Sequence, residues 1–292
     1  MQRPILLVLL ADLWWGISAL YWRELDSIAP ADQLAWRILF GVVVLGAWWL
    51  FRGTWPFADM TARKWRYGLA GTVCITLNWA VFLWAVSNDQ AVEAALGYFL
   101  SPIVSVVLAV VLLGERLDRL QQAAVGLAAG GMIWLFALQG GVPWVALVLG
   151  VSFAIYGYVR KTGPWDAVDG LTMEMTAVVP IAAAFLVIRG VESATSIGGD
   201  DRAITWVLLS FAGVATAVPL ILFANAARKA PLAVVGLLQY IVPVAQFLVG
   251  WLVFAESVSA ARFVGFGLVW AALGCVILNE LGRQRRPATA GA

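Results

Sequence analysis

The side chains able to do chemistry are few, and they stand inside long apolar runs. Asp12 lies about eight residues into one such run, and Trp15, Gly16, Ala19 and Arg23 share its helical stripe. In a bilayer that depth is ~12 Å, where an ionisable group costs about 2.5–3.5 kcal/mol and must face protein or a water-filled cavity. Two chemistries suit Asp12: a proton carrier, or a structural carboxylate held by neighbouring donors. Arg37 lies close to the start of the second run, where it either snorkels outward or offers its donor fork to a carboxylate or to Asp12. Glu174 is a coupling candidate or an interface group, and Glu93 is a second candidate proton carrier.

Polar side chains also align on two other stripes. Tyr98, Ser101, Pro102 and Ser105 share one, and Gly236, Gln239, Tyr240, Pro243, Gln246 and Gly250 the other. A proline inside a span frees a backbone carbonyl that lipid cannot satisfy, so Pro102, Pro219 and Pro243 point to the bundle centre as gating candidates, with Thr216 near the second. Asn78 and Trp79 belong to the same depth. Any one of these polar groups could instead be interhelical glue. Trp14, Trp15 and Trp79 lie deeper than the tryptophans of the interfacial belt, Trp55 among them, and suit either a ligand wall or plain packing.

What must position these residues follows from composition. Of 292 residues, 62% are hydrophobic and 12% charged, about half the charge of a soluble domain, so lipid is the solvent. With no histidine, no GxxxxGK[ST] loop and no GxSxG turn, an ATPase or an ordinary hydrolase is excluded. Cys74 and Cys275 sit in apolar runs as small hydrophobes; no metal site and no cofactor are expected. About 20 apolar residues make a crossing, which predicts ten spans: 4–23, 33–51, 67–86, 91–113, 120–138, 142–160, 170–189, 203–226, 231–254 and 260–280. The first reads as a retained span, lacking a small-residue cleavage site.

With the N-terminus inside, fourteen Lys and Arg fall in cytoplasmic segments, from Arg3 through Arg160, Lys161, Arg228 and Lys229 to Arg286. Only Arg23, Arg189, Arg202 and Arg262 fall outside, so both termini are expected in the cytoplasm. The net charge of +2 then records topology and implies no nucleic-acid partner.

Shifting the chain by 141 residues aligns Gly16 with Gly157, Phe82 with Phe223, Pro102 with Pro243, Glu115 with Glu256 and Gly126 with Gly267. Five spans per half is an odd number, so the halves, 1–140 and 141–282 with a tail at 283–292, must be inverted relative to each other, an arrangement characteristic of secondary transporters. Gly126 and Gly130 in the fifth span, and Gly265, Gly267 and Gly274 in the tenth, suit close scaffold contacts or a homodimer.

TAVPLILFANAARKAPLAVVGLLQYIVPVAQFLVGWLVFAE (Thr216 to Glu256), NWAVFLWAV (Asn78 to Val86), EAALGYFLSPIVSVVL (Glu93 to Leu108) and SFAIYGYVRK (Ser152 to Lys161) together resemble the EamA family of the drug/metabolite transporter superfamily, in its RarD branch. The resemblance implies an all-α inner-membrane protein of ten helices in two inverted repeats. Its path would be formed by the first four helices of each half. Asn78, Trp79, Glu93, Tyr98, Gln239 and Tyr240 fall on motif residues of this branch. Trp36 stands where relatives often have histidine before the arginine, which puts any proton relay through that histidine in doubt here. The branch name is tied to chloramphenicol sensitivity.

The expectation is a secondary transporter, an exporter of small metabolites or drug-like molecules working by alternating access and not an enzyme, with substrate contacts at Asp12, Trp15, Arg37, Asn78, Trp79, Tyr98, Gln239 and Tyr240. Proton coupling through Asp12 or Glu93 is a further expectation, and a channel or a non-transporting scaffold is the alternative.

Overall fold

The computed structural model describes residues 2–53, 57–88, 90–138, 143–196, 202–255 and 259–285. Trp55, Glu256 and Arg286 lie outside them. The described chain forms α1 (Gln2–Arg23), α2 (Pro30–Arg52), α3 (Ala62–Ser87), α4 (Ala91–Leu113), α5 (Arg119–Ala137), α6 (Trp144–Thr162), α7 (Ala167–Ser196), α8 (Arg202–Lys229), α9 (Leu232–Leu238), α10 (Ile241–Leu248), a π-helical turn (Val249–Val253) and α11 (Ala260–Arg285). Ten helical segments are long and apolar enough to cross a membrane, in agreement with the sequence, and there is no strand among the described residues.

Local chemistry sets the ends. Asp118 and Gln121 form a reciprocal capping box at the start of α5, and Pro30 sits in the first turn of α2. At the end of α4, Gly114 takes the left-handed conformation (φ 65°), and the next amide, Glu115 N–H, reaches back to the Ala109 carbonyl at 3.0 Å. That turn directs Glu115 across the end of the bundle.

The ninth span departs from its expected continuous helix. It breaks at Gln239 and Tyr240 into α9 and α10, then closes through the π turn. Pro243 contributes to the break, because its ring has no N–H for the Gln239 carbonyl and would clash with it. That carbonyl instead accepts from Val242 N–H at 3.0 Å, and Tyr240 N–H bonds the Leu237 carbonyl, so the ladder tightens to three-residue steps. Pro102 and Pro219 do not break α4 and α8 in the same way.

The helices pack in corresponding pairs. α1 lies against α8 as α3 lies against α6, and α4 against α6 as α1 against α10. The Tyr240 hydroxyl donates to the Phe99 carbonyl at 3.2 Å, joining two residues 141 apart. α5 and α11 pack on each other within the chain, Gly131 meeting the Gly265 carbonyl and Leu268, whereas Gly126, Gly130, Gly267 and Gly274 face open space. Outward-facing side chains such as Leu50 (85% exposed), Phe51 (92%) and Ile188 (84%) form the apolar surface that a bilayer covers.

α2 and α8 approach closely at Gly213, where an added Cβ would lie 2.4 Å from the Phe40 carbonyl carbon and 2.7 Å from Gly41 N. Backbone cannot yield there as a flexible side chain can. Gly213→Ala is expected to lower stability by about 1–3 kcal/mol, and Gly126→Ala to leave it unchanged or slightly raised. Unfolding midpoints in one detergent check both.

Candidate functional site: a half-open cavity

A cavity of about 840 Å³ runs from the α1–α2 connection to the middle of the bundle. Its mouth is lined by Arg23, Asp26, Pro30, Gln33 and Phe254, and its inner part by Trp15, Asn78, Ser101, Phe153, Thr216 and Gln239. The mouth is built by a tight connection: Gln33 Nε2 donates to the carbonyls of Leu25 and Ile28, both at 2.9 Å, tying the turn to the first coil of α2.

Arg37 lines this cavity rather than turning away from it. Its guanidinium carbon lies 4.8 Å from the ring centroid of Trp79 and 5.5 Å from that of Trp22. Both distances suit cation–π attraction. No carboxylate of the described residues comes within 4.0 Å of Arg37, and its Nε has no hydrogen-bond partner. Trp36 does not line the cavity; it stacks with Phe40 and meets Trp206 edge-on at 5.0 Å, among the side chains between α2 and α8.

Trp15, Asn78, Trp79, Tyr98 and Gln239 are brought together with Arg37 in one lining. Asn78 is partly engaged: its amide donates to the Leu149 carbonyl (2.9 Å) and Ser152 Oγ (3.0 Å), joining α3 to α6. The remaining polar atoms are freer. Ser101 Oγ, Thr216 Oγ1 and Gln239 Oε1 are buried without partners and belong to residues lining the inner cavity.

Asp12 and Tyr240 are not among the lining residues. Asp12 is fully buried and neither carboxylate oxygen has a hydrogen-bond partner, which leaves no capping donor for the structural reading. It precedes Trp15 by three positions, so it lies ~4.5 Å nearer the N-terminal end of α1 than the cavity floor. Glu93 is occupied elsewhere: Val145 N–H donates to its Oε1 at 2.9 Å, so it caps α6. Pro102, Pro219 and Pro243 also stand outside the lining, behind the polar residues of their helices.

Below the floor the bundle is closed. Phe153, Phe223 and Tyr156 form a ring cluster, with centroids 5.3 Å apart for the first pair and 6.5 Å for Phe223 and Tyr156. Tyr156 Oη donates to Glu174 at 3.0 Å, and Glu174 pairs with Arg160 at 3.3 Å, all three buried. Arg160 also donates to the Ala167 carbonyl at 2.6 Å. Beside this pair, Lys161 Nζ donates to the carbonyls of Ala227 (3.2 Å) and Ala230 (2.5 Å) and lies 3.7 Å from Glu115. Glu115 in turn accepts from Leu232 N–H (2.7 Å) and Ala233 N–H (2.9 Å). The ends of α4, α6 and α8 are thereby locked to the start of α9.

Sequence reading missed Tyr156, Arg160, Lys161 and Glu115 as a unit. Arg160 and Lys161 read as part of the cytoplasmic basic rim, and Glu115 only as the repeat partner of Glu256.

A family model described as "EamA-like transporter family" matches residues 2–137. The uncharacterized transporter YojE of Bacillus subtilis is 37% identical over 97% of this chain and 96% of its own length. Protein RarD of Escherichia coli is 35% identical over 98% of this chain and 97% of that protein. The chain belongs to the EamA-like transporter family. Its RarD-named relatives place it in the RarD branch of the drug/metabolite transporter superfamily, among transporters rather than enzymes. A crystal structure 19% identical in sequence superposes with a TM-score of 0.72 over 94% of this chain and 98% of that one, which shows the same fold.

In this EamA-like transporter the Arg160–Glu174 pair is wholly shielded from water, so removing one partner strands the other. Glu174→Ala is expected to cost about 3–5 kcal/mol, whereas the double change Arg160→Met with Glu174→Leu recovers most of it. A double-mutant cycle on unfolding midpoints reads the difference.

Proposed function

We propose that this multi-pass transporter moves small metabolites or drug-like organic molecules outward across the bacterial inner membrane by alternating access, with both termini in the cytoplasm. The observation that carries the reading is the asymmetry of the path: a cavity open at the α1–α2 end reaches mid-bundle, and the Lys- and Arg-rich end is sealed by rings and ion pairs. The basic-residue count makes the sealed end cytoplasmic, so the cavity faces outward. The corresponding helix pairs and the Tyr240–Phe99 bond support two inverted halves, 1–140 and 141–282. Two such halves give two similar packings of comparable energy, one open to each side.

Substrate would rest against Trp15, Trp79, Tyr98 and Gln239, with Asn78 helping to shape the floor. Asp12 is the proton-coupling residue of this reading, because an unpartnered carboxylate at that depth is otherwise an unrepaid cost. Glu93 drops behind it, since its oxygen already caps α6. Small breaks at Gln239 and Tyr240 let α9 and α10 rock as separate pieces.

Three outcomes test this. Cells lacking the protein are expected to retain at least one small molecule that wild-type cells release to the medium; an unchanged distribution of every solute would sink the exporter reading. In proteoliposomes, a pH gradient is expected to drive flux of that solute, and Asp12→Asn to abolish the gradient's effect; wild-type behaviour in Asp12→Asn contradicts the coupling role. Lys161→Met, which frees the Ala227 and Ala230 carbonyls, is expected to shift the population toward the inward-open form and slow turnover by about tenfold.

A further inference from the structure

The cavity carries one feature that transport of a generic organic molecule does not explain, the unpaired cation at Arg37. Two other arginines in this structure have carboxylate partners within their spans or at the ends of them: Arg160 has Glu174 at 3.3 Å and Arg189 has Asp32 at 3.4 Å. Arg37 has none among the described residues, although it stands in an apolar helix at the wall of a large cavity. Asp12, the acid that the sequence offered as its neutraliser, does not pair with it.

The surroundings of Arg37 hold it in place without discharging it. Trp22 and Trp79 present their rings to the guanidinium, which favours the cation and orients its plane but leaves the N–H donors unsatisfied. Two parallel N–H donors are the geometry that grips a carboxylate in bidentate fashion. Deeper in the cavity, Trp15 and Phe153 offer ring surface, and beside them Ser101, Thr216 and Gln239 carry unpartnered polar atoms.

We propose that the transported molecule is an organic carboxylate with a flat apolar body, its carboxylate held by Arg37 and its body lying on the rings toward the cavity floor. This rests on the transporter reading and adds the substrate's charge and shape to it. The carboxylate enters from the mouth side of the floor, and Ser101, Thr216 and Gln239 read a hydrogen-bonding group at its far end. A neutral or cationic molecule of the same shape would leave the Arg37 guanidinium without a counter-charge.

Matched probes test it: phenylacetate, its amide phenylacetamide, and phenethylamine, each measured by equilibrium dialysis against protein in nanodiscs up to about 10 mM. Phenylacetate is expected to bind at least roughly tenfold more tightly than the amide, and the amine more weakly still. Arg37→Gln is expected to level the acid and the amide, while Arg37→Lys, which keeps the charge but not the fork, retains part of the preference. Equal binding of acid and amide by the unmodified protein overturns the proposal, as does no binding of the acid in that range, and neither result depends on whether a variant folds. A preference that survives in Arg37→Gln overturns the assignment to Arg37. Flux of the same probes in proteoliposomes separates the two claims: an acid preference in binding without flux of any probe refutes transport and leaves the anion site standing, whereas flux indifferent to charge refutes the anion site and leaves transport standing.

Discussion

Lipid offers a buried charge nothing, and the interior of this protein is organised by that constraint. Hydrocarbon can neither hydrate an ion nor hydrogen-bond a free backbone group, so every polar atom inside the bundle must be met by protein or open onto a cavity. Arg160 and Glu174 meet each other, Asp32 meets Arg189, and Lys161 and Glu115 join backbone groups freed where α8 ends and α9 begins. Among the buried polar groups without a hydrogen-bond partner, Arg37, Ser101, Thr216 and Gln239 line one cavity, Asp12 lies beyond its floor, and others such as Trp36, Thr76 and Trp270 stand outside it.

The two ends of the bundle differ in what ties them. Arg160–Glu174 and Lys161–Glu115 hold the helices together where the bundle is closed, whereas at the open end Asp32–Arg189 ties α2 to α7 beside the cavity mouth. The two regions share elements. α6 contributes Phe153 to the cavity and Tyr156, Arg160 and Lys161 to the seal, and the broken ninth span contributes Gln239 to the cavity while its first amides are held by Glu115. Loosening the seal necessarily moves residues that line the cavity. That physical continuity is what a two-state exchange requires, since one packing is released as the other forms.

Much of this was legible in the sequence. Long apolar runs with a one-sided basic count give ten crossings, and the structure has them. Cavity residues were readable where polarity is rare for its depth, as for Arg37, Asn78, Tyr98 and Gln239. Depth alone does not tell which wall a side chain faces, so Tyr240 shared the stripe of Gln239 yet turns to the Phe99 carbonyl, and Asp12 shared that of Trp15 yet lies past the floor. The seal was not legible, because its members come from four helix ends far apart in the chain and each, taken singly, is an ordinary interface residue. The break in the ninth span was half legible. Pro243 marks it, but Pro102 occupies the corresponding place in α4 without breaking it, so proline alone does not decide.

The cavity opens at the α1–α2 end and is shut at the Lys161–Glu115 end, an asymmetry that sets from which side water reaches it. That asymmetry is tested most directly by placing one cysteine at Ala95, an exposed cavity position, in protein whose Cys74 and Cys275 have been replaced by alanine. Ala95→Cys should react with a membrane-impermeant thiol reagent added on the α1–α2 side and resist the same reagent from the other side, until Glu115→Gln unlocks the seal and labelling from that side rises. Equal labelling from both sides with Glu115 intact, or labelling only from the Lys161 side, would contradict it.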